Sequence, residues 1–160
     1  MYLAGGAAAL LHLGLVLFYP TDRRKVKKVF SSTAEWVSKE GPAGALSLAQ
    51  KIPEGEKLFA DPCELEAEAY RLSQSFTPRE LAQLAAGART RFDTLELKFY
   101  DLEVWFPEDG KAEATVTLRL EGRSSGGESL SETHEMDCIL LEQEARSRFA
   151  RISLVEVLNK

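Results

Sequence analysis

A run of alternating glutamates is the first group in this sequence that could do acid–base chemistry. Glu64, Glu66 and Glu68 are separated by single apolar residues. A carboxylate held in an apolar pocket can act as a general base, because loss of hydration raises its pKa toward neutrality. The alternation favours a simpler interpretation, in which the three glutamates form the solvated face of a β-strand. We therefore expect that Glu66 and Glu68 are not catalytic.

A second group centres on His134, which shares one side of a predicted strand with Met136 and Cys138. A buried neutral imidazole beside a carboxylate could act as an acid or a base. The alternative, which we favour, is a hydrogen-bonded core histidine. The side chains that could converge on a pocket between a sheet and its helices are Trp36, Tyr70, Tyr100, Trp105, His134 and Asp137.

Neither a metal nor a cofactor is predicted. The region after residue 20 contains one histidine, and the sequence has no HxH, HxxxH or CxxC spacing. Cys63 and Cys138 lie on the apolar sides of their predicted strands, so we expect both to be buried and to remain free thiols. The alternative is a disulfide formed in an oxidising compartment, which requires Cα atoms within about 7 Å.

The charge of the chain argues against general nucleic-acid binding. Its formal net charge is -5 and its pI is near 5.2, whereas phosphate recognition requires a basic surface. The basic residues are concentrated instead in one stretch, where they could contact anionic lipid headgroups. That stretch contains Arg23, Arg24, Lys25, Lys27 and Lys28.

An uncharged apolar segment precedes this basic stretch. Residues 2–19 would extend about 27 Å as a helix, which nearly spans a bilayer core. The segment ends in Phe18, Tyr19 and Pro20 and lacks a small-x-small cleavage site, so we predict an uncleaved membrane anchor over residues 1–20. The alternative is a hydrophobic helix buried inside a soluble protein. The anchor implies a single-pass protein of the cell membrane, with the lipid bilayer as a partner.

The side of the membrane on which the domain lies is left open. Five basic residues follow the apolar segment and none precedes it, which favours a cytoplasmic domain by the positive-inside rule. Two or three basic residues upstream of the segment would balance that count.

Helical periodicity dominates the chain up to about residue 91. An apolar stripe predicts an amphipathic helix over residues 22–39, and Gly41-Pro42 ends it. A shorter helix follows and ends at residues 53–55, the sequence Pro-Glu-Gly. The sequence from Thr77 to Glu80 predicts a capping box with proline at the first helical position, and that helix continues to about Arg91.

The apolar period then changes to two, which predicts strands. We expect strands over residues 94–106, 112–120, 130–142 and 148–158, with turns at Asp109-Gly110 and at Ser124 to Gly127. A change of phase predicts a bulge near Tyr100-Asp101. This order of elements predicts an α+β domain with about three helices packed on one face of a curved, mainly antiparallel sheet.

The opening of the first strand carries a family resemblance. Leu58-Phe59-Ala60-Asp61-Pro62-Cys63, together with the order of elements over residues 22–158, resembles the NTF2-like (cystatin-like, SnoaL-like) superfamily. The resemblance implies a cone-shaped domain over residues 21–160. Ketosteroid isomerases of this superfamily place a base in the first strand, and the corresponding position here is Ala67. The inner-membrane scaffold subunit of type IV secretion also places such a domain after one membrane helix.

Two functions remain open, because this fold supports both. The first is a membrane-tethered noncatalytic binding or assembly module, which could form a homo-oligomer or bind a partner protein in a membrane complex. The alternative is a small-molecule enzyme of the ketosteroid isomerase or SnoaL-like cyclase type, with a pocket in the cone. We favour the first, because the expected base is absent. An open polar cone would favour the enzyme, and a cone filled with side chains would favour the module.

Overall fold

A computed structural model describes residues 22–40 and 45–155 of the chain. Helix α1 covers residues 22–37, α2 is Ala45–Glu56 and α3 is Pro78–Arg89. The strands are β1 (Lys39–Glu40), β2 (Phe59–Ala67), β3 (Leu72–Phe76), β4 (Phe92–Glu108), β5 (Lys111–Ser124), β6 (Ser129–Gln143) and β7 (Arg146–Val155), with a short 3-10 turn at Glu68–Tyr70. The predicted α+β class is therefore correct.

Helix α1 forms because its apolar residues recur at helical spacing on one side. Val26, Val29 and Phe30 are buried against the sheet, as the stripe predicts. The helix covers residues up to 37, rather than to the predicted 39, because Lys39 and Glu40 pair with β4 as strand β1.

Helix α2 continues past its predicted end. It includes both Pro53 and Gly55 and ends at Glu56. The contact with α1 accounts for this difference, because the indole of Trp36 lies against Gly55, where a side chain would clash with the ring. Trp36 Nε1 also donates a hydrogen bond of 2.8 Å to the carbonyl of Lys51. Tertiary packing therefore holds the last turn in helical form.

Helix α3 begins with the predicted capping box. The Thr77 hydroxyl accepts a hydrogen bond from the Glu80 N–H at 3.2 Å, and the Glu80 carboxylate accepts one from the Thr77 N–H at 3.4 Å. Pro78 occupies the first helical position, where its missing N–H costs nothing. The helix ends at Arg89, two residues before the predicted end.

One seven-stranded sheet forms the other layer, in the order β1-β4-β5-β6-β7-β2-β3. Strands β4 to β7 are an antiparallel meander, as predicted, and β2–β3 is an additional antiparallel hairpin. Strand β2 lies parallel to β7, so the sheet is mixed but mainly antiparallel. The sequence pattern predicted neither this parallel pair nor strands β1 and β3.

The meander contains a bulge and a tight turn, both at predicted positions. Pairing between β4 and β5 shifts between Tyr100 and Glu103, and Asp101 has a φ of 54°, so the bulge is confirmed. Gly110 has a φ of 74° in the turn between the two strands, a conformation in which glycine carries no Cβ strain. The bulge keeps Leu102 and Val104 on the side of the core, where both pack against it.

The three helices cover one face of the curved sheet, which we call the concave face. Phe149, Leu140, Val26 and Cys63 are the largest fully buried side chains of its core. The opposite face, which we call the outer face, carries the alternate residues of the same strands. A strand residue on the concave face points toward the helices, whereas one on the outer face points away from them.

The predicted anchor, residues 2–19, lies outside the described residues, as do positions 156–158 of the predicted last strand. Within residues 22–40 and 45–155, no helix combines the length and apolarity needed to cross a membrane.

Candidate functional site

The six candidate pocket residues do not converge on one place. Trp36 is 5% exposed and packs between α1 and α2, with its Nε1 bonded to the Lys51 carbonyl. Tyr70 is exposed in the 3-10 turn, and Tyr100 is exposed on the outer face beside the bulge. Their positions make Trp36 a core residue and leave both tyrosines facing solvent.

Trp105 and Asp137 do lie near each other, but on the outer face. They line a shallow depression of about 380 Å³ whose other members include Glu113, Thr115 and Arg151. Trp105 Nε1 donates a hydrogen bond of 2.6 Å to the Glu113 carboxylate. Strand alternation explains why Asp137 is separated from His134, because residues three apart on a strand point to opposite faces.

His134 is the one candidate on the concave face that reaches solvent. Its Nε2 lies 3.2 Å from an Oε2 of Glu132, and the two side chains are 17% and 41% exposed. Both belong to β6, two residues apart, so they point to the same face as buried Met136. The alternation along β6 already indicated that Glu132 and His134 share a face, although Glu132 was not among the six predicted pocket residues.

Apolar side chains of the neighbouring strands lie on one side of this imidazole–carboxylate pair. Across the sheet, Leu118 lies directly opposite His134 and Leu120 directly opposite Glu132. Phe99 is the next residue beyond Leu118 in the same row. Along β6, burial decreases from Met136 to His134, so the pair marks the rim of the concave face, where the core meets solvent. An acid–base pair in an apolar rim is suited to a small apolar molecule with one polar group.

Aromatic rings fill the concave face deeper in the domain. Phe30 of α1 makes edge-to-face contacts with both Phe99 and Phe149, each at a centroid distance of 5.1 Å. Ala67, the position implied for a base by the family resemblance, is 4% exposed. Within the described residues, this region is therefore packed with apolar side chains.

The alternating glutamates are placed on the outer side of the sheet. The Glu66 carboxylate accepts a hydrogen bond of 2.7 Å from Arg151 Nη2, and Glu64 lies 3.9 Å from Arg151 Nε. Glu68 is exposed in the 3-10 turn. Their positions agree with the predicted solvated face.

Both cysteines are buried free thiols, at 0% and 3% exposure. Burial, with a smaller contribution from the Glu64 carboxylate, raises the pKa of the Cys63 thiol to about 12. Burial also raises the pKa of Cys138, and the negative charge of Asp137 adds to the effect. Both thiols therefore stay protonated near neutral pH, which makes them poor nucleophiles.

Within residues 22–40 and 45–155, no group of three or more His, Cys, Asp and Glu side chains is arranged to hold a metal ion. The absence of a metal and of a cofactor stays a prediction from the sequence.

The architecture is similar to several solved structures. The Kfla4162 protein from Kribbella flavida aligns with a TM-score of 0.71 at 12% identity, over 86% of this chain and 91% of that one. LinA-type3, a hexachlorocyclohexane dehydrochlorinase from Novosphingobium barchaimii LL02, aligns with a TM-score of 0.66 at 12% identity, over 87% and 88% of the two chains. The domain has the NTF2-like fold. A structure named for a putative scytalone dehydratase from Novosphingobium aromaticivorans also aligns, with a TM-score of 0.65 at 10% identity, over 89% and 86%.

These similarities show the NTF2-like fold alone, because every identity is far below 25%. No protein-family model matches the sequence, and no characterised relative is similar enough in sequence to match it. For this NTF2-like domain, function must therefore be argued from its own residues.

Proposed function

We propose that this NTF2-like domain is a small-molecule enzyme that moves a proton on an apolar substrate. The observation that carries the proposal is the hydrogen-bonded pair of His134 and Glu132 on the concave face, with the imidazole 17% exposed. A histidine side chain can act as a general acid or base, and a carboxylate hydrogen-bonded to one ring nitrogen fixes the orientation of the ring and leaves the other nitrogen free to take a proton. This function is the enzyme alternative, and the sequence alone favoured the noncatalytic module.

The pair suits proton abstraction from a carbon next to a carbonyl group. When Nε2–H of His134 is donated to Glu132, the lone pair lies on Nδ1, which takes the proton as the C–H bond breaks. The released electron pair forms an enolate. The imidazolium then returns the proton to another carbon, which is isomerisation, or to a departing hydroxide, which leaves as water. Either route restores neutral His134 and needs no oxidant or reductant.

The structural neighbours support this class of reaction. One is named as a dehydrochlorinase and one as a putative dehydratase, and both names describe eliminations. An elimination includes removal of a proton from carbon, which is the step assigned here to His134.

Deuterium exchange tests the proposal without knowledge of the substrate. The full chain would be incubated in D₂O with a panel of apolar ketones and β-hydroxy ketones, and mass spectrometry would detect deuterium at carbon or loss of water. We expect exchange or elimination with at least one compound, reduced about a hundredfold or more by His134→Gln. Glu132→Gln should reduce it less, because Glu132 supports the imidazole without touching the substrate.

Glu135→Gln is the matched control, because Glu135 is adjacent to His134 on the same strand but exposed on the other face. It should leave the rate unchanged. Full activity in His134→Gln, with folding intact, would refute the assignment.

A noncatalytic binding or assembly module is the second candidate. The observation that favours it is the packing of Phe30 between Phe99 and Phe149, which occupies space that a substrate would need. Native mass spectrometry of the detergent-extracted full chain tests this candidate. A homo-oligomer or a co-extracted protein, combined with no turnover across the ketone panel, would support it. A monomer that turns over a panel compound through His134 would exclude it.

We also propose that residues 2–19 anchor the chain in the cell membrane, with the NTF2-like domain at the surface. The support is the uncharged apolar sequence of the segment. Membrane fractionation tests this proposal: the full chain should remain in the pellet after a carbonate wash and be released by detergent. Recovery in the soluble fraction, or a mature N-terminus after residue 20, would overturn it.

A further inference from the structure

The solvent-facing side of α1 begins with an unusual concentration of basic side chains. Arg23, Arg24, Lys27 and Lys28 are exposed, whereas Val26, Val29 and Phe30 on the other side are buried. At about 1.5 Å per residue, Lys28 lies about 9 Å along the helix axis from residue 22. The basic side chains therefore share one surface of the first two turns, which we call the α1 basic surface.

Among the described residues, most of the α1 basic surface has no acidic side chain close enough to form an ion pair. Lys25, the fifth basic residue of the stretch, lies apart from it and forms an ion pair of 2.8 Å with Glu142. Arg23 reaches the carbonyl of Val104 at 3.4 Å. Within residues 22–40 and 45–155, Arg24, Lys27 and Lys28 have no acidic partner within 4.0 Å. As far as the described residues are concerned, these three cations are available to an external anion.

The opposite side of the domain contains an acidic region, beside which Lys98, Arg119 and Arg123 lie on the same face. Three adjacent rows across the outer face of the sheet carry six carboxylates around one arginine, Arg151. The carboxylates are Glu64, Glu66, Glu103, Glu113, Glu135 and Asp137. Because α1 packs on the concave face, its basic surface and these carboxylates point away from each other. The domain is therefore electrostatically polarised.

We infer that the α1 basic surface lies against anionic lipid headgroups and orients the domain with the outer face of its sheet away from the membrane. Two observations carry this inference. The unpaired cations are within the first two turns after the apolar segment, which ends at residue 19, and their charge complements an anionic leaflet. The six carboxylates of the outer face are repelled by the same leaflet, which disfavours the inverted orientation. The inference uses the proposed anchor only to bring α1 close to the bilayer.

Site-specific fluorescence quenching tests this orientation in the full chain. A fluorophore would be attached through Ser31→Cys on the solvent side of α1, or through Thr133→Cys on the outer face, since both positions are exposed. The native cysteines are buried and would not react in the folded protein. The protein would be reconstituted in phosphatidylcholine vesicles with or without phosphatidylglycerol, and each set would contain a headgroup spin-labelled quencher lipid.

We expect quenching at position 31 that increases with phosphatidylglycerol and decreases at high salt, and little quenching at position 133. The triple variant Arg24→Gln, Lys27→Gln, Lys28→Gln should lose the increase, with a shift of roughly fivefold in the docking equilibrium per side chain. The matched control is Lys98→Gln, Arg119→Gln, Arg123→Gln, which removes the same charge from the outer face and should retain quenching at position 31.

Quenching at position 31 that is indifferent to phosphatidylglycerol, or equal at both positions, would overturn the inference. If residues 2–19 do not anchor the chain, the result is different, because the chain would then not bind phosphatidylcholine vesicles. In that case the inference survives only if anionic vesicles still bind the chain and quench position 31. Absence of such binding would overturn it.

Discussion

Arg89, the last residue of α3, closes the C-terminal end of α1 through the carbonyl of Val37. Its Nε donates a hydrogen bond of 3.0 Å to that carbonyl, and its Nη2 donates one of 3.1 Å to the carbonyl of Ser38. The guanidinium is nearly buried, and burial lowers the pKa of Arg89. It satisfies carbonyls that a helix end leaves free and meets the negative end of the helix dipole.

Replacement of this arginine should destabilise the domain. Arg89→Ala leaves two carbonyls without their charged donor, so we expect the free energy of unfolding to fall by about 2–3 kcal/mol. Urea denaturation of the full chain measures the change. Arg91→Ala, at an exposed position two residues later, is the control and should alter stability by less than about 0.5 kcal/mol. Equal effects of the two variants would contradict the capping role.

Gly55 and Gly87, the glycines in the helices of the described residues, should respond oppositely to alanine. A Cβ at Gly55 would clash with the Trp36 indole, whereas a Cβ at Gly87 has no neighbour within 4 Å. We expect Gly55→Ala to destabilise the domain by about 1–2 kcal/mol through overpacking. Gly87→Ala should stabilise it by about 0.5–1 kcal/mol, because alanine favours the helix. Thermal denaturation compares the two, and stabilisation by both would show that α2 can move away from Trp36.

The stability of the domain should fall as the pH rises above about 9. The pKa of Cys63 is raised from 9.0 to about 12 in the folded protein, so the unfolded chain loses this proton first. The thiol's contribution to folding is therefore fully present below pH 9 and is lost progressively toward pH 12. Urea midpoints measured under reducing conditions between pH 7 and pH 10.5 should decline less steeply in Cys63→Ala. An unchanged slope would contradict the assignment.

The outer-face glutamates should be dispensable for catalysis. Glu66→Gln and Glu68→Gln should leave the rate in the ketone assay unchanged, because neither side chain lies on the concave face. Glu66→Gln also removes an exposed ion pair with Arg151, so its effect on stability should be small. Loss of activity in either variant, with unchanged stability, would move the active site to the other face of the sheet.

Local sequence patterns accounted for much of the architecture. The stripe of α1, the capping box at Thr77 and the bulge after Tyr100 are each encoded within a few residues, and the structure confirms all three. Alternation also predicted correctly that Cys63 and Cys138 are buried. It contained the pairing of Glu132 with His134, because residues two apart on a strand share a face.

Tertiary structure decided the features that depend on distant partners. Three contacts join segments that share no local pattern: the parallel pairing of β2 with β7, the Arg89 cap on α1 and the contact of Trp36 with Gly55. Periodicity shows which side of an element is apolar, but not which element covers it. The sequence by itself therefore determined the three helices, strand β2, the four meander strands and their buried sides, but not the short strands β1 and β3. Only the fold decided that Trp36 became core while His134 reached the rim, because burial depends on the whole set of packed neighbours.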